Sequence, residues 1–342
     1  MTAASAPLLA IDGLRVEFDS PDGRLVAVRD AGLSIRPGEI VGLIGESGSG
    51  KTLTCRSVIR LVPWPGRIAA GQIEFGGRDV LAMNAKELRE LRARDVGMIF
   101  QDPFSSLNPV WRIGEQVAET LRVNLGLGRT EARGRALKLL GDVGIPDPER
   151  RALSYPHEFS GGMRQRVMIA LATASQPRLL LADEPTTALD VTTQAQILAL
   201  LVRLSKEREI AVLLVSHDFG VIAEVCDRVA VMYGGHIVES GPIEAIYNHT
   251  QHPYTRALLE SVPQLESAGR ATRKSVIPGT PPEPTESMPG CVFKPRCRYA
   301  QPGCDAVSMA LEPVSPGHAT ACPVRPFDAA DGARDAREGA NV

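Results

Sequence analysis

Three features of the sequence predict an α/β fold, a sheet covered by helices with a helical segment inserted into it. Apolar strand-like runs alternate with amphipathic helical ones over roughly the first 245 residues. One such run, Ile40–Ile44, leads through a glycine-rich turn straight into a helical pattern. From about Arg112 to Leu171 the strand signal lapses and helical periodicity takes over, as an insert in an α/β domain would read.

In chain order, Leu14–Phe18 reads as a strand, Ile40–Ile44 as a buried strand and Leu53–Leu61 as the helix after it. The insert holds helical patterns at Glu115–Leu125, Glu131–Val143 and Met163–Ala174. Leu179–Ala182, Ala211–Val215 and Val229–Met232 are short, leucine-rich or β-branched, and read as further buried strands. A last helix is expected at Tyr254–Ser261. The proline-rich stretch Ile277–Gly290 cannot hold a helix and should run extended. Beyond a cysteine-containing segment, Asp328–Val342 lacks apolar periodicity and is expected to be disordered. These patterns divide the chain into residues 1–250, with the helical subdomain at about 112–171, a C-terminal extension at 251–327, and the tail at 328–342. No internal repeat is visible, so one such module is expected.

Composition narrows the function classes. The 342 residues are 44% hydrophobic and 23% charged, with a formal net charge of -2. That balance points away from nucleic acid as a partner. The longest apolar runs, such as Ile197–Val202 and Ile210–Val215, are far too short to span a bilayer. The N-terminus lacks the basic and long apolar regions of a secretory signal, so a cytosolic location is expected. In that reducing compartment the grouped Cys291, Cys297, Cys304 and Cys322 read as metal ligands sooner than as disulfides.

Gly45-Glu46-Ser47-Gly48-Ser49-Gly50-Lys51-Thr52 fits the phosphate-binding loop pattern and lies between a strand and a helix, where the pattern requires it. Its glycines let backbone N–H groups turn toward phosphate; Lys51 suits the β and γ phosphates and Thr52 magnesium. The apolar run Leu179–Ala182 ends in Asp183-Glu184. One carboxylate there suits magnesium and the other a water that attacks phosphorus. ATP and Mg2+ are the ligands this combination implies.

Further residues carry a family resemblance. Phe159-Ser160-Gly161-Gly162-Met163-Arg164-Gln165-Arg166 resembles the signature motif of ABC ATPases, and Gln101 after Met98-Ile99-Phe100 resembles their Q-loop. Ala188-Leu189-Asp190 is similar to the D-loop, and His217 in Val215-Ser216-His217-Asp218 to the switch histidine. The resemblance implies an ABC-type P-loop ATPase domain with a RecA-like core, an antiparallel β subdomain and a helical subdomain. It implies Glu184 as general base, His217 on the γ phosphate, and Gln101 sensing magnesium and water. Phe18 is the candidate to stack on adenine. Two such domains would close head to tail, so that Ser160, Gly161 and Gly162 of one complete the phosphate site of the other. Met163 departs from the glutamine usual in the signature, which bears on ribose contact.

The resemblance narrows to ATPase subunits of bacterial dipeptide, oligopeptide and nickel importers. It rests on Gln101-Asp102-Pro103 with Ser105–Pro109, on Tyr155–Arg166, on His252–Leu259, and on Gly290-Cys291 through Pro295-Arg296-Cys297. Such a subunit implies a second, non-identical ABC ATPase subunit, two transmembrane permease subunits, an extracytoplasmic substrate-binding protein, and a place on the cytoplasmic face of the membrane. Short peptides are the leading cargo; nickel, glutathione or a sugar are alternatives. Soluble ABC ATPases acting on DNA or ribosomes usually carry a coiled coil, a zinc insert or two ATPase modules, and none is present here. A phosphate-loop kinase would leave the signature motif unexplained. Trp111, in a proline-flanked stretch, is a candidate anchor for the permeases or else a core residue.

The four C-terminal cysteines are separated by five, six and seventeen residues, which follows neither zinc-ribbon nor ferredoxin spacing and leaves the metal open. The family resemblance implies a 4Fe–4S cluster, with zinc or free structural cysteines as alternatives. Either metal would stabilise what is expected to be a small irregular C-terminal domain, kept irregular by Pro295 and Gly303 and without an apolar core of its own.

Overall fold

The computed structural model describes residues 6–21, 23–102, 106–187, 189–261, 277–283, 285 and 288–327. The expected disorder of Asp328–Val342 lies outside these residues. The described strands are β1 Leu9–Ser20, β2 Gly23–Ile35, β3 Ile40–Ile44, β4 Gly66–Phe75, β5 Arg78–Asp79, β6 Val96–Ile99, β7 Leu179–Asp183, β8 Ala211–Ser216, β9 Arg228–Tyr233, β10 His236–Pro242, β11 Glu312–Ser315 and β12 His318–Thr320. The chain forms two compact units. One gathers Met1–Leu9, Ser34–Ile40 and Glu74–Val215, and the other Ala10–Leu33, Val41–Ile73 and Ser216–Val342.

The first unit holds three parallel strands in the order β8, β7, β6, with Leu181 level with Leu213 and with Met98. All five residues of β7 and all six of β8 are buried. A strand covered on both faces is apolar at successive positions instead of alternate ones, which is why these runs stood out in the sequence. The helices Ile113–Leu125, Arg129–Asp142 and Gly161–Thr173 follow the expected insert within two residues at each end.

In the second unit β3 runs parallel to β9, and β9, β10, β12 and β11 continue in antiparallel order. A further sheet places β1 between β2 and β4. The helix after β3 spans Lys51–Ser57, two residues earlier than Leu53 and four shorter than Leu61. Arg60 at a φ of 51° forces the chain out of helical geometry there.

The cysteine-containing extension is less irregular than the sequence suggests, because it adds β11 and β12 to the sheet edge through the pairings Glu239↔Thr320 and Ser240↔Ala319. A buried carboxylate fixes that join. Glu239 Oε1 accepts the N–H of Gln251 at 2.6 Å and faces His318 Nε2 at 2.9 Å; Oε2 accepts Thr250 Oγ1 at 3.0 Å and the N–H of His252 at 3.1 Å. Buried charge is tolerable when so fully hydrogen-bonded.

His252 is fully buried beside this carboxylate, and its Nδ1 accepts the N–H of Tyr254 at 3.1 Å, which requires that nitrogen to be unprotonated. Burial holds its pKa down at about 4 against an ordinary 6.5, with the Glu239 charge pulling the other way. The unfolded chain therefore gains this proton first. The stability owed to neutral His252 is complete above pH 6.5 and disappears as pH falls to about 4, by at most about 3 kcal/mol. Urea unfolding between pH 7 and 4 should show this decline, and His252→Gln, which keeps an acceptor but cannot titrate, should flatten it.

Candidate functional site

The glycine-rich segment after β3 is built around Lys51. Its Nζ donates to the carbonyls of Gly45 and Glu46, both at 2.8 Å, and lies 3.4 Å from Ser49 Oγ. The lysine is buried at 5% exposure. Gly48 and Gly50 take φ of 78° and 107°, and a Cβ on Gly45 would stand 2.1 Å from the carbonyl oxygen of Met232, so the turn cannot be made with side chains at these points. Ser47 is exposed, Ser49 buried and Thr52 half-buried. The N–H of Gly235 donates to the Ser49 carbonyl at 3.1 Å, tying the loop to the β9–β10 turn. A glycine-lined turn closed on a lysine in this way suits an anion.

Other expected residues lie in the same unit. Phe18, in β1, is half-buried rather than part of the core, with its ring edge close to Gly66. His217 is exposed at the end of β8. Its neighbour Asp218 caps the next helix by accepting the N–H of Gly220 at 2.8 Å.

The first unit carries the carboxylates. Asp183 is fully buried as the last residue of β7. Glu184 follows it with a φ of 49°, left-handed backbone that a glutamate adopts only at a cost of about 1–3 kcal/mol. Its N–H donates to Val215 at 3.1 Å, which holds the strained turn. Two donors converge on its Oε2, Gln101 Nε2 at 3.0 Å and Thr187 Oγ1 at 2.9 Å. The structure thus brings Gln101 and Glu184 together. Thr187 is a partner the sequence reading missed, since a threonine three residues past an acidic pair gives no signal of its own.

Ser160 caps the helix Gly161–Thr173, its Oγ accepting the N–H of Met163 at 3.3 Å. A Cβ on Gly162 would meet Thr193 Cγ2 at 2.5 Å, so that glycine lets the helix approach Thr193. Phe159 is buried under the Arg151 guanidinium, and Arg164 Nε donates to the Pro156 carbonyl at 2.7 Å, together fixing the turn that presents Ser160. Asp190 accepts both the N–H and the hydroxyl of Thr193, at 2.9 and 2.7 Å, and these bonds depress its pKa. Trp111 is 46% exposed and Val110 74%, which removes the core role for the tryptophan.

The four C-terminal cysteines are neighbours, close enough for the charges of Cys297, Cys304 and Cys322 to act on Cys291. Burial pushes the Cys291 thiol up to about 11 and also raises Cys297 and Cys322. Backbone N–H groups act in the opposite direction: Phe293 on Cys291, Tyr299 on Cys297, and Arg325 and Val324 on Cys322. The Gln301 N–H reaches Cys304 Sγ at 3.5 Å. Among the described residues, however, no group of three or more His, Cys, Asp or Glu stands in metal-holding geometry. The expected iron–sulfur or zinc centre is therefore not preformed.

Known proteins share these features. The chain matches the ABC transporter family over residues 28–187, and the oligopeptide/dipeptide transporter C-terminal region over residues 238–304. It is 46% identical over 326 residues to the oligopeptide transport ATP-binding protein OppD of Salmonella typhimurium, spanning 94% of this chain and 96% of that one. A dimeric ATP-binding cassette solved in a post-hydrolysis state with ADP and Pi superimposes with a TM-score of 0.63 at 28% identity, covering 69% of this chain and 98% of that one. The cbiO1 protein of Clostridium perfringens, part of an ABC transporter complex, gives 0.62 at 27% identity, with 72% and 92% covered. With the phosphate loop, paired carboxylates and signature helix in family order and the transporter-type extension behind them, the chain belongs to the ABC transporter family and is an ABC-type ATPase.

Proposed function

We propose that this ATPase powers import of dipeptides or short oligopeptides, working at the cytoplasmic face of the membrane beneath two permease subunits. The observation that carries the reading is the continuous 46% identity to OppD, through both the ATPase region and the cysteine-containing extension. No described helix is long and apolar enough to cross a membrane, so permease partners would supply the channel. Nickel, glutathione or another small solute is the alternative cargo.

In this reading Gly45, Ser47, Gly48, Ser49, Gly50 and Lys51 hold the ATP phosphates, with Lys51 reaching the β and γ phosphates. Phe18 stacks on adenine. Thr52, Gln101 and Asp183 each carry an oxygen suited to Mg2+, which would neutralise charge on the phosphates. Glu184 polarises the attacking water, and the donors Gln101 and Thr187 hold its carboxylate in one rotamer. His217 contacts the γ phosphate. Ser160, Gly161 and Gly162 serve the phosphate site of a second, non-identical ATPase subunit. The four cysteines, with backbone N–H groups directed at their sulfurs, suit a 4Fe–4S cluster or zinc. Such a centre would stabilise the extension and takes no part in hydrolysis.

The cargo is tested by ATP hydrolysis of the assembled complex: binding protein loaded with dipeptide or oligopeptide should stimulate it, and stimulation by nickel or glutathione alone would replace the peptide reading. Glu184→Gln should lower turnover by about 10²–10⁴ while sparing ATP binding, because the amide keeps shape but loses the charge. Lys51→Ala should instead weaken ATP binding. The isolated chain at high dilution should hydrolyse ATP poorly and gain sharply when the second ATPase subunit and the permeases are added. Purified without oxygen, the chain should carry iron and acid-labile sulfide; stoichiometric zinc without colour would assign zinc, and neither metal would leave structural cysteines.

A further inference from the structure

Glu46, the second residue of the phosphate loop, is gripped from the C-terminal extension at both its backbone and its side chain. Its N–H donates to Tyr254 Oη at 2.8 Å. Its carboxylate accepts two bonds from Arg296, Nη1 to Oε2 at 2.6 Å and Nη2 to Oε1 at 3.0 Å, the parallel fork that makes arginine–carboxylate pairs strong and directional. Its carbonyl, in turn, is one of the two that hold Lys51 Nζ, and it also accepts the N–H of Ser49 at 3.2 Å.

The grip is itself rigid. Arg296 is 5% exposed, and its other donors go to the carbonyls of Pro278 at 2.8 Å and Ile277 at 3.3 Å and to Tyr233 Oη at 3.1 Å. Its guanidinium carbon lies 5.7 Å from the centre of the Tyr233 ring. Tyr233 and Tyr254 are in contact at 4.4 Å between ring centres, and Phe293 sits edge-on to Tyr233 at 5.2 Å and tilted against Tyr254 at 5.4 Å. Tyr254, Phe293 and Arg296 all lie in or next to the transporter-type extension, outside the ATPase pattern.

An ion pair on the surface contributes little, but this one is largely shielded from water and ends on a residue whose carbonyl positions the loop's lysine. The Glu46 carbonyl is one of the two that orient Lys51 Nζ, so the position of that ammonium depends on where Glu46 is held. A loop fixed in its binding shape loses less conformational freedom on binding. We propose that Arg296 and Tyr254 are positioning residues for the phosphate loop, so that the C-terminal extension sets the affinity of the ATPase for ATP. Coupling of this kind is reciprocal: ATP binding must stabilise the extension around Arg296, which directly precedes Cys297. The inference rests on ATP binding at this loop.

The test is a double-mutant cycle in the full-length chain, reading the Kd for MgATP. Arg296→Gln and Glu46→Gln should each weaken binding about tenfold, and the double variant should be no weaker than the worse single one. Arg296→Lys, which keeps the charge but not the fork, should recover part of the loss. In the assembled complex Arg296→Gln should raise KM for ATP by more than it lowers kcat. If Arg296→Gln does not fold, Glu46→Gln and Tyr254→Phe, which leave the arginine in place, carry the same expectation. Wild-type Kd in Glu46→Gln, or losses that multiply in the double variant, would overturn the proposal. A wild-type chain that binds no MgATP, or a Lys51→Ala variant that still binds it fully, would overturn the ATP reading beneath it.

Discussion

The molecule depends on strands buried on both faces. Residues within β3 and β7 have no route to solvent, so polar chemistry can appear only where these strands end. At the end of β3 the chain must reverse around a cation, and the result is a glycine-lined loop closed on Lys51. At the end of β7 it must leave the sheet with two carboxylates, the first buried and the second forced into left-handed backbone. Both features follow from one constraint: the apolar strand fixes a terminus rigidly enough to hold a charged group that flexible chain could not hold in place.

Strain at Glu184 illustrates the consequence. A glycine there would relieve the backbone but would remove the carboxylate. The structure keeps the glutamate and balances it with a bond from its N–H to Val215 and two donors on its Oε2. The donors come from different places, Gln101 after β6 and Thr187 in the turn past β7, so any movement of the Q-loop is felt directly at the proposed base. That arrangement ties the position of Gln101 to that of the Glu184 carboxylate.

Much of this was legible in the sequence because buried strands are apolar without interruption. Ile40–Ile44 is found with its ends unchanged, Leu179–Ala182 and Ala211–Val215 each extend by one residue at the C-terminal end, and Val229–Met232 by one at each end. Motifs made of contiguous residues, the phosphate loop and the signature helix, were equally plain. What stayed hidden depends on contacts distant in sequence. Nothing in the string says that Glu239 will be buried against His318, 79 residues on, or that Arg296 will reach Glu46 across 250. β11 and β12 are short and show little alternation, so they give no strand signal, and β12 joins β10 beside that buried carboxylate. The cysteines showed the opposite limit: their grouping was visible, while the geometry they take is not encoded in their spacing.

The central claim, that ATP turnover by this chain drives peptide import, is tested most directly by transport itself. Vesicles carrying the chain with its ATPase partner and two permeases, supplied outside with binding protein and labelled dipeptide, should accumulate the peptide only when MgATP is enclosed on the ATPase side. Uptake that proceeds equally without enclosed ATP, or ATP consumption with no peptide accumulated for any peptide offered, would contradict the account.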